Sequence, residues 1–342
     1  MTVMPEIKLA AVGDILMIGP ILTHAKLQGQ DKYDFNPIFE QVAPCLNQAD
    51  FVIGNQETPL AGREPLYTKK NARTGFSMFN CPDELASALR DSGFHFLTTA
   101  NNHCMDRGEA GLTRTLEVLD KHGLEHTGTF AANPGDDNHW IGEVKGIRMG
   151  ILSYTKSTNG IPLPKNKPWM VNMLNVRNPD KLLQHVRRLK CLVDVVIVCI
   201  HAGTECRPYP NPSQRRLVQL LLENGAHIVL GCHPHVIQPM FTLNGKFAIY
   251  SMGNFASTRL YNNSNTNCGL ILQLTIAKEP NSPIKVSNAG LIPTWVTRLK
   301  SANGIRYKIL PIRKTMKRPV PEQSGSDRDL MQKVWKKTSA RL

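Results

Sequence analysis

Short apolar runs recur along the chain and predict buried β-strands. Each run is three to seven residues long and is bounded by polar or turn-forming residues, which is typical of strands in the interior of a sheet. The segment DVVIVCI shows the pattern most clearly, because its apolar residues are continuous rather than alternating. The runs that we take as strands are residues 7–12, 51–54, 96–100, 195–200 and 228–230.

Segments with helical spacing lie between these runs. Leu112, Leu116 and Leu119 recur at intervals of three to four residues, and Gly123 follows them as a helix terminator. In SQRRLVQLLLENG the pattern predicts a helix capped by Ser213 and ended by Gly225. The predicted helices are residues 37–48, a helix that starts at Pro82 and Asp83 and ends before Gly93, and residues 112–122, 181–193 and 213–224.

From Phe247 onward the pattern changes to strands without intervening helices. The segments FAIYS, GLILQLTI, KVSNAGLI and RYKIL follow one another in this part of the chain. The sequence therefore predicts an α/β sheet that is joined to, or faces, a second and more antiparallel sheet.

Composition adds limits to this picture. The formal net charge is +14, and residues 305–342 carry eleven Lys or Arg against three acids. No aromatic interleaving or nucleic-acid motif accompanies the charge, so we expect a solvated tail and no nucleic-acid partner. The eight cysteines form no C-x-x-C pair, and neither an apolar run of membrane-spanning length nor a secretory leader occurs. We therefore expect a soluble cytoplasmic protein that does not insert stably into membranes.

Polar residues follow the predicted strands at the point where each strand ends. In sheets that alternate strands with helices, the carboxyl ends of the strands form the ligand-binding edge. Nitrogen and oxygen donors without a thiolate cluster suit Mn, Fe or Zn. Taken singly, these residues also suit helix caps, Asx-turns or solvated acids, but their coincidence at five strand ends favours a metal site. They are Asp14, Glu57, Asn102, His201, His233 and His235.

The order of several short motifs resembles that of CapA/PgsA proteins, a family named for poly-γ-glutamate capsule synthesis. The motifs are GD at 13–14, N-x-E at 55–57, ANNH at 100–103 with D-x-G at 106–108, H-x-G-x-E at 201–205, GxHPHxxQP at 231–239 and YSMGNF at 250–255. The resemblance covers residues 8–258. It implies a calcineurin-like metallophosphoesterase fold, an αββα sandwich of two facing mixed sheets flanked by helices. We expect this domain to span residues 1–300, with closing strands to about 310, and residues 311–342 to form a basic C-terminal extension.

The resemblance also implies roles for individual residues. The six donors at the strand ends match the metal ligands of the family, and one or two divalent ions would supply a metal-bound hydroxide that attacks a phosphoester. His103 would be the general acid, with Asp106 beside it. Groups that we expect to contact an anionic small-molecule or polymer substrate are Lys69, Lys70, Arg73, Asn101, Glu205 and Asn254.

The sequence departs from the phosphoesterase pattern at Leu16, where a histidine ligand is usual. The second ion therefore depends on a replacement, for which His24 is a candidate and an ordinary surface histidine the alternative. Further departures at Gln56, Ala202 and Cys206 affect the substrate pocket more than the metal ligands. Three functions remain open: a metal-dependent hydrolase of phosphoesters, an accessory protein of poly-γ-glutamate synthesis that binds metal and polymer without phosphoesterase activity, and amide-bond chemistry on a glutamyl substrate.

Overall fold

The computed structural model describes residues 5–64, 67–278, 283–301 and 304–342. The prediction that the chain starts without a secretory leader falls partly on residues 1–4, which lie outside the described residues. The strands are β1 (Glu6–Ile15), β2 (Phe51–Gln56), β3 (Thr68–Lys70), β4 (Ser77–Phe79), β5 (Phe96–Thr98), β6 (Glu125–Thr127), β7 (Trp140–Val144), β8 (Ile147–Thr155), β9 (Val195–His201), β10 (Ile228–Cys232), β11 (Met240–Leu243), β12 (Lys246–Ile249), β13 (Asn254–Ala256), β14 (Cys268–Ala277), β15 (Lys285–Ser301) and β16 (Gly304–Pro311). The helices are α1 (Pro20–Ala25), α2 (Asn36–Phe39), α3 (Ala43–Leu46), α4 (Glu84–Asp91), α5 (Gly108–Lys121), α6 (Asp180–Lys190), α7 (Pro212–Glu223), α8 (Ile312–Lys317) and α9 (Gly325–Ser339).

Two mixed sheets form the centre of the fold. The first sheet has the order β16-β15-β14-β1-β2-β5-β6, with β13 also pairing with β1, and the second has the order β11-β12-β10-β9-β8-β7. Strands β1, β2, β5 and β6 run parallel, as do β8, β9, β10 and β12. The late antiparallel strands do not form a sheet of their own, because β14 pairs with β1 and extends the first sheet.

Alternate residues of the parallel strands supply two different cores. Ile197 of β9 packs between the sheets together with Leu9 of β1, whereas Val196 and Val198 of β9 face Leu221 of α7 on the outer side. The outer side of the first sheet packs against α2 and α4. Strands that are buried on both faces must be apolar at every position, which explains the continuous apolar runs in the sequence. The αββα sandwich is confirmed.

The N-cap of helix α7 lies two residues earlier than the sequence indicated. Its N-cap is Asn211, whose side chain accepts a hydrogen bond from the Gln214 N–H while Gln214 bonds back to the N-cap N–H. Ser213 is therefore not the cap, and Pro212 occupies the first turn, where its missing N–H has no cost. Gly225 follows the helix with φ +117°, as a terminator does.

The predicted helix at residues 37–48 is instead the two short helices α2 and α3. Pro44 lies inside this segment, and proline can neither donate the helical hydrogen bond nor avoid the carbonyl four residues earlier. The segment between β2 and α4 contains the β3–β4 hairpin, in which Lys69 pairs with Met78.

The basic C-terminal segment is not the solvated tail that we expected, because the residues after β16 fold as α8 and α9 and pack against the sheets. Met331 and Val334 of α9 are buried in the core between the two sheets. The Asp327 carboxylate accepts hydrogen bonds from the Trp295 indole (3.1 and 3.2 Å) and from the Thr297 hydroxyl (2.7 Å). Among the described residues, no helix is both long enough and apolar enough to cross a membrane.

Candidate metal centre

The carboxyl ends of strands from both sheets bring the predicted donors together. Asp14 lies near the end of β1, Glu57 directly follows β2, and His201 is the last residue of β9. Asp14, Glu57 and His235 each offer one ligand atom within 4.8 Å of the others, and all three residues are buried. The convergence predicted from the strand ends is therefore present between the two sheets.

Asp14 and His235 form the closest contact of opposite charge in the group. Oδ2 of Asp14 lies 3.1 Å from Nδ1 of His235, and the same nitrogen lies 2.9 Å from Oδ1 of Asn254. Because acceptors surround Nδ1, this nitrogen carries a hydrogen, and the other ring nitrogen is left to face Glu57. Oδ1 of Asp14 accepts a hydrogen bond of 2.8 Å from the Asn55 amide.

Glu57 is fully buried, and neither of its carboxylate oxygens has a hydrogen-bond partner among the described residues. Oε1 lies 3.5 Å from Nε2 of His201 and 4.0 Å from Nε2 of His235. Nε2 of His201 is also 2.8 Å from Oδ1 of Asn102. A buried carboxylate without donors is costly, and a divalent cation held among these atoms would compensate it.

The environment separates the protonation states of these groups. Burial and the Asp14 charge raise the pKa of Glu57 to about 8. Burial would raise the pKa of Asp14, but its bond to His235 and the nearby histidines hold it below its usual range. Burial lowers the pKa values of His201 and His233 to about 3, so both imidazoles stay neutral as metal ligands must. For His235, burial opposes the charged form, yet the Glu57 and Asp14 carboxylates raise the pKa to about 10, so this imidazole must release a proton before it can ligate a cation.

The segment that carries His233 and His235 is not an extended strand. Both residues have positive φ, +94° and +58°, and their ring centroids are 6.0 Å apart. Cys206, at φ +59°, donates its N–H to the Pro234 carbonyl at 2.9 Å. Side chains that alternate along a strand would share a face, whereas here a strained turn directs the two imidazoles.

His103 and Asp106 form a second buried pair beside the donors. Nδ1 of His103 lies 2.8 Å from Oδ2 of Asp106, and the same oxygen accepts the Phe79 N–H at 2.5 Å. The Phe79 ring lies against the imidazole with centroids 4.6 Å apart. Burial raises the pKa of Asp106, and its bond to His103 opposes that effect.

Asn101 and Asn254, which we expected to contact the substrate, are fully buried and form hydrogen bonds within the protein. Asn101 is fully buried; its amide donates to the Gln56 carbonyl at 2.7 Å, and its oxygen accepts the His103 N–H at 3.0 Å. Asn254 is also fully buried, and its amide donates to the Thr266 carbonyl at 3.0 Å while its oxygen faces His235. Both side chains position histidines instead.

The other predicted substrate contacts are exposed or only partly buried. Glu205 accepts a hydrogen bond of 2.7 Å from the hydroxyl of exposed Tyr261. Lys69, Lys70 and Arg73 are exposed on the β3–β4 hairpin, and Lys69 forms an ion pair of 2.5 Å with Glu64.

The hairpin reaches the site at two points. Phe79 at the end of β4 contacts both His103 and Asp106, as described above. At the hairpin's turn, Thr74 approaches Gly160 so closely that a Cβ added to the glycine would lie 3.0 Å from Cγ2 of the threonine. Lys69, Lys70 and Arg73 therefore lie on a hairpin that adjoins the site.

Two asparagines that contact the predicted ligands were missed by the sequence reasoning. Asn55 bonds to Asp14 and lies 3.2 Å from Nδ1 of His201, and its place in the N-x-E motif was the available signal. Asn159 contacts Asn102 from a turn without a recognisable motif. His24 is not at the centre, because its ring stacks on Tyr307 with centroids 5.7 Å apart. Leu16 is buried, so position 16 supplies no ligand.

Comparison with known families matches residues 8–259 to the model of the bacterial capsule synthesis protein PGA_cap. This chain belongs to the PGA_cap family. The PGA biosynthesis protein CapA of Bacillus subtilis (strain 168) is 28% identical over 303 residues, which are 86% of this chain and 76% of that protein. The capsule biosynthesis protein CapA of Bacillus anthracis is 30% identical over 257 residues, or 73% of this chain, but the match spans only 59% of that relative.

The fold of this PGA_cap protein is also similar to that of a solved structure. A proposed 5′-nucleotidase from Staphylococcus aureus, solved in complex with α-ketoglutarate, matches with a TM-score of 0.52 and 14% identity, covering 97% of this chain and 58% of that protein. The likeness concerns the fold alone. The Glu57 oxygens and Nδ1 of His233 have no hydrogen-bond partner in the part of the chain that the structure describes, and these atoms fit a divalent cation held by oxygen and nitrogen donors.

Proposed function

We propose that this PGA_cap protein is a metal-dependent hydrolase that acts on a phosphoester. The observation that carries the proposal is the Glu57 carboxylate, which is fully buried without a hydrogen-bond donor among the described residues while facing His201 and His235. A protein that needed only stability would not keep such a group, since replacing it by an apolar residue would remove the desolvation cost.

The ligands that we assign are two carboxylates, one amide oxygen and three imidazoles. Bound divalent ions, Mn, Fe or Zn by the donor types, would neutralise charge on phosphoryl oxygens and activate water for attack on phosphorus. The chain's own contribution is to hold the donors in place before the ions bind: Asn55 orients Asp14, and Asn254 orients His235. The assigned ligands are Asp14, Glu57, Asn102, His201, His233 and His235.

His103 supplies the proton for the leaving group. Asp106 accepts a hydrogen bond from Nδ1 and thereby orients the ring, so that Nε2 is left to transfer a proton to the departing alkoxide. Phe79 covers one face of the ring and fixes its orientation. The neighbouring β3–β4 hairpin provides Lys70 and Arg73 for contact with the remaining anionic part of the substrate.

The experiment is hydrolysis of a chromogenic phosphomonoester and phosphodiester by purified protein with Mn²⁺ or Zn²⁺. We expect His103→Ala to lower kcat by roughly 10²-fold or more, because a positioned general acid contributes about this factor. His126→Ala is the matched control, since His126 also pairs with an aspartate, Asp120, at 3.0 Å but lies on β6 outside the site. Equal activity of the His103 variant and the wild type would remove His103 from the mechanism.

A second candidate function is supported by the names of the relatives. The two CapA proteins are described as biosynthesis proteins of PGA and of capsule. In this alternative the centre binds metal and an anionic glutamyl polymer without hydrolysing phosphoesters, or acts on the polymer's amide bonds. Absence of phosphoester hydrolysis together with metal-dependent retention of poly-γ-glutamate would favour polymer binding, and release of glutamyl fragments would favour amide chemistry.

A further inference from the structure

Asn159 lies in the turn that follows β8, and its side chain reaches the candidate metal centre. Its backbone is left-handed, with φ +52°, and its N–H donates to the Ser157 hydroxyl at 3.0 Å. Its Oδ1 accepts a hydrogen bond of 3.2 Å from Nδ2 of Asn102. The resemblance assigned Asn102 as a ligand but assigned nothing to Asn159.

The two ends of an asparagine amide are not equivalent for a cation. Only the oxygen can ligate, whereas the NH₂ group is a donor that would repel the ion. Oδ1 of Asn102 lies 2.8 Å from Nε2 of His201, so the oxygen is on the side of the other donors. A rotation of the amide by half a turn would exchange the two groups. Because Nδ2 of Asn102 donates to Oδ1 of Asn159, that rotation would break the hydrogen bond and is opposed.

We propose that Asn159 is a positioning residue that fixes the Asn102 amide with its oxygen towards the cation. The inference rests on the proposed metal-dependent function. The turn that carries Asn159 is itself held, because the Ile161 N–H donates to the Thr158 carbonyl at 3.0 Å and the Thr158 hydroxyl donates to the Ile161 carbonyl at 2.6 Å. The left-handed backbone is the conformation that aims a short side chain from this turn at Asn102, and asparagine tolerates it better than most residues.

The test measures Mn²⁺ binding to the metal-free protein by isothermal titration calorimetry, with no substrate present. Asn159→Gly removes the side chain but keeps a left-handed backbone without strain, so a merely structural role of the turn predicts unchanged binding. If Asn159 orients Asn102, this variant binds Mn²⁺ about 10- to 100-fold more weakly, as loss of a hydrogen bond to a ligand typically does. Asn159→Asp retains the acceptor oxygen, and we expect it to bind at least as tightly as the wild type.

The matched control is Asn244→Gly. Asn244 has the same left-handed backbone, with φ +50°, but lies exposed in the β11–β12 turn. We expect wild-type affinity and a wild-type far-UV circular dichroism spectrum. Wild-type protein that binds neither Mn²⁺ nor Zn²⁺ overturns the proposed function and this inference with it. Wild-type protein that binds Mn²⁺, with Asn159→Gly binding equally well or Asn159→Asp as weakly as Asn159→Gly, overturns this inference alone.

Discussion

His227 and His95 each lie directly before a parallel strand and make the same pair of hydrogen bonds to the backbone of the neighbouring strand. We therefore expect the fold to lose stability in acid. His227 directly precedes β10; its N–H donates to the Val196 carbonyl at 2.9 Å, and its Nδ1 accepts the Val196 N–H at 3.0 Å. His95 precedes β5 and makes the same two bonds to Val52, both at 3.2 Å. An imidazole that accepts a backbone hydrogen bond through Nδ1 loses that bond when Nδ1 is protonated.

The magnitude follows from the pKa of His227. Burial, with the charges of Lys190 and Lys246, lowers this pKa from 6.5 to about 4. The unfolded chain therefore binds the proton more readily, so the stability is fully present above pH 6.5 and is lost as the pH falls towards 4. At pH 5 the loss amounts to about 2 kcal/mol, because each unit of difference in pKa corresponds to about 1.4 kcal/mol.

The assay compares urea unfolding of wild type and His227→Asn at pH 7.5 and pH 5, both with EDTA. The asparagine oxygen takes the place of Nδ1 as the acceptor but does not titrate in this range. We expect the wild type to lose about 2 kcal/mol more than the variant between the two pH values. His95→Asn should act in the same direction, with a smaller effect because His95 is more exposed. Parallel loss of stability in wild type and His227→Asn would refute the reasoning.

Two further predictions concern the candidate centre. A Cβ at Gly231 would lie 2.0 Å from the Tyr250 carbonyl oxygen, so Gly231→Ala should force β10 away from β12, lower the free energy of unfolding in urea by about 1–3 kcal/mol and abolish calorimetric Mn²⁺ binding. If Gly231→Ala bound Mn²⁺ as tightly as the wild type, the close approach of Gly231 to Tyr250 would not be needed for metal binding. Glu57→Gln should reduce the bound metal measured by elemental analysis. In EDTA the melting temperature of this variant should also rise relative to that of the wild type as the pH rises from 4.5 to 8. Burial and the Asp14 charge raise the pKa of Glu57 to about 8 in the folded protein. Over this range Glu57 therefore ionises in the unfolded chain before it does in the fold, and the wild type loses stability. Parallel melting curves would contradict the effect of burial on Glu57.

The sequence could predict the site's location because local signals and topology agree there. The strands before Asp14, Glu57 and His201 are continuous apolar runs, which only strands covered on both faces require. Parallel strands then place their carboxyl ends at one edge. That the donors come from two facing sheets could not be read from periodicity, and only the motif order implied it.

The positioning side chains could not be predicted, since their roles depend on contacts between residues far apart in sequence. Asn159 lies 57 residues from Asn102, and nothing in its own neighbourhood distinguishes it from an ordinary turn residue. The errors in the predicted helices have local causes. The apolar spacing favoured one helix at residues 37–48, but Pro44 divides it into two. Asn211 was overlooked as the cap of α7, although Pro212 and Gln214 complete the sequence pattern of a capping box.

The motif GxHPHxxQP encodes a backbone shape as much as two ligands. An extended H-x-H segment would place both imidazoles on one face of a strand, but His233 and His235 have positive φ, which costs about 1–3 kcal/mol for each such residue. The remaining motif residues hold this conformation: Gly231 permits the close approach of Tyr250, and the Gln238 N–H donates to the Ser251 carbonyl at 3.0 Å. Strain of this kind persists only where the surrounding structure over-determines it. Its coincidence with the unpaired carboxylate of Glu57 argues that this edge of the fold is built for a ligand rather than for stability.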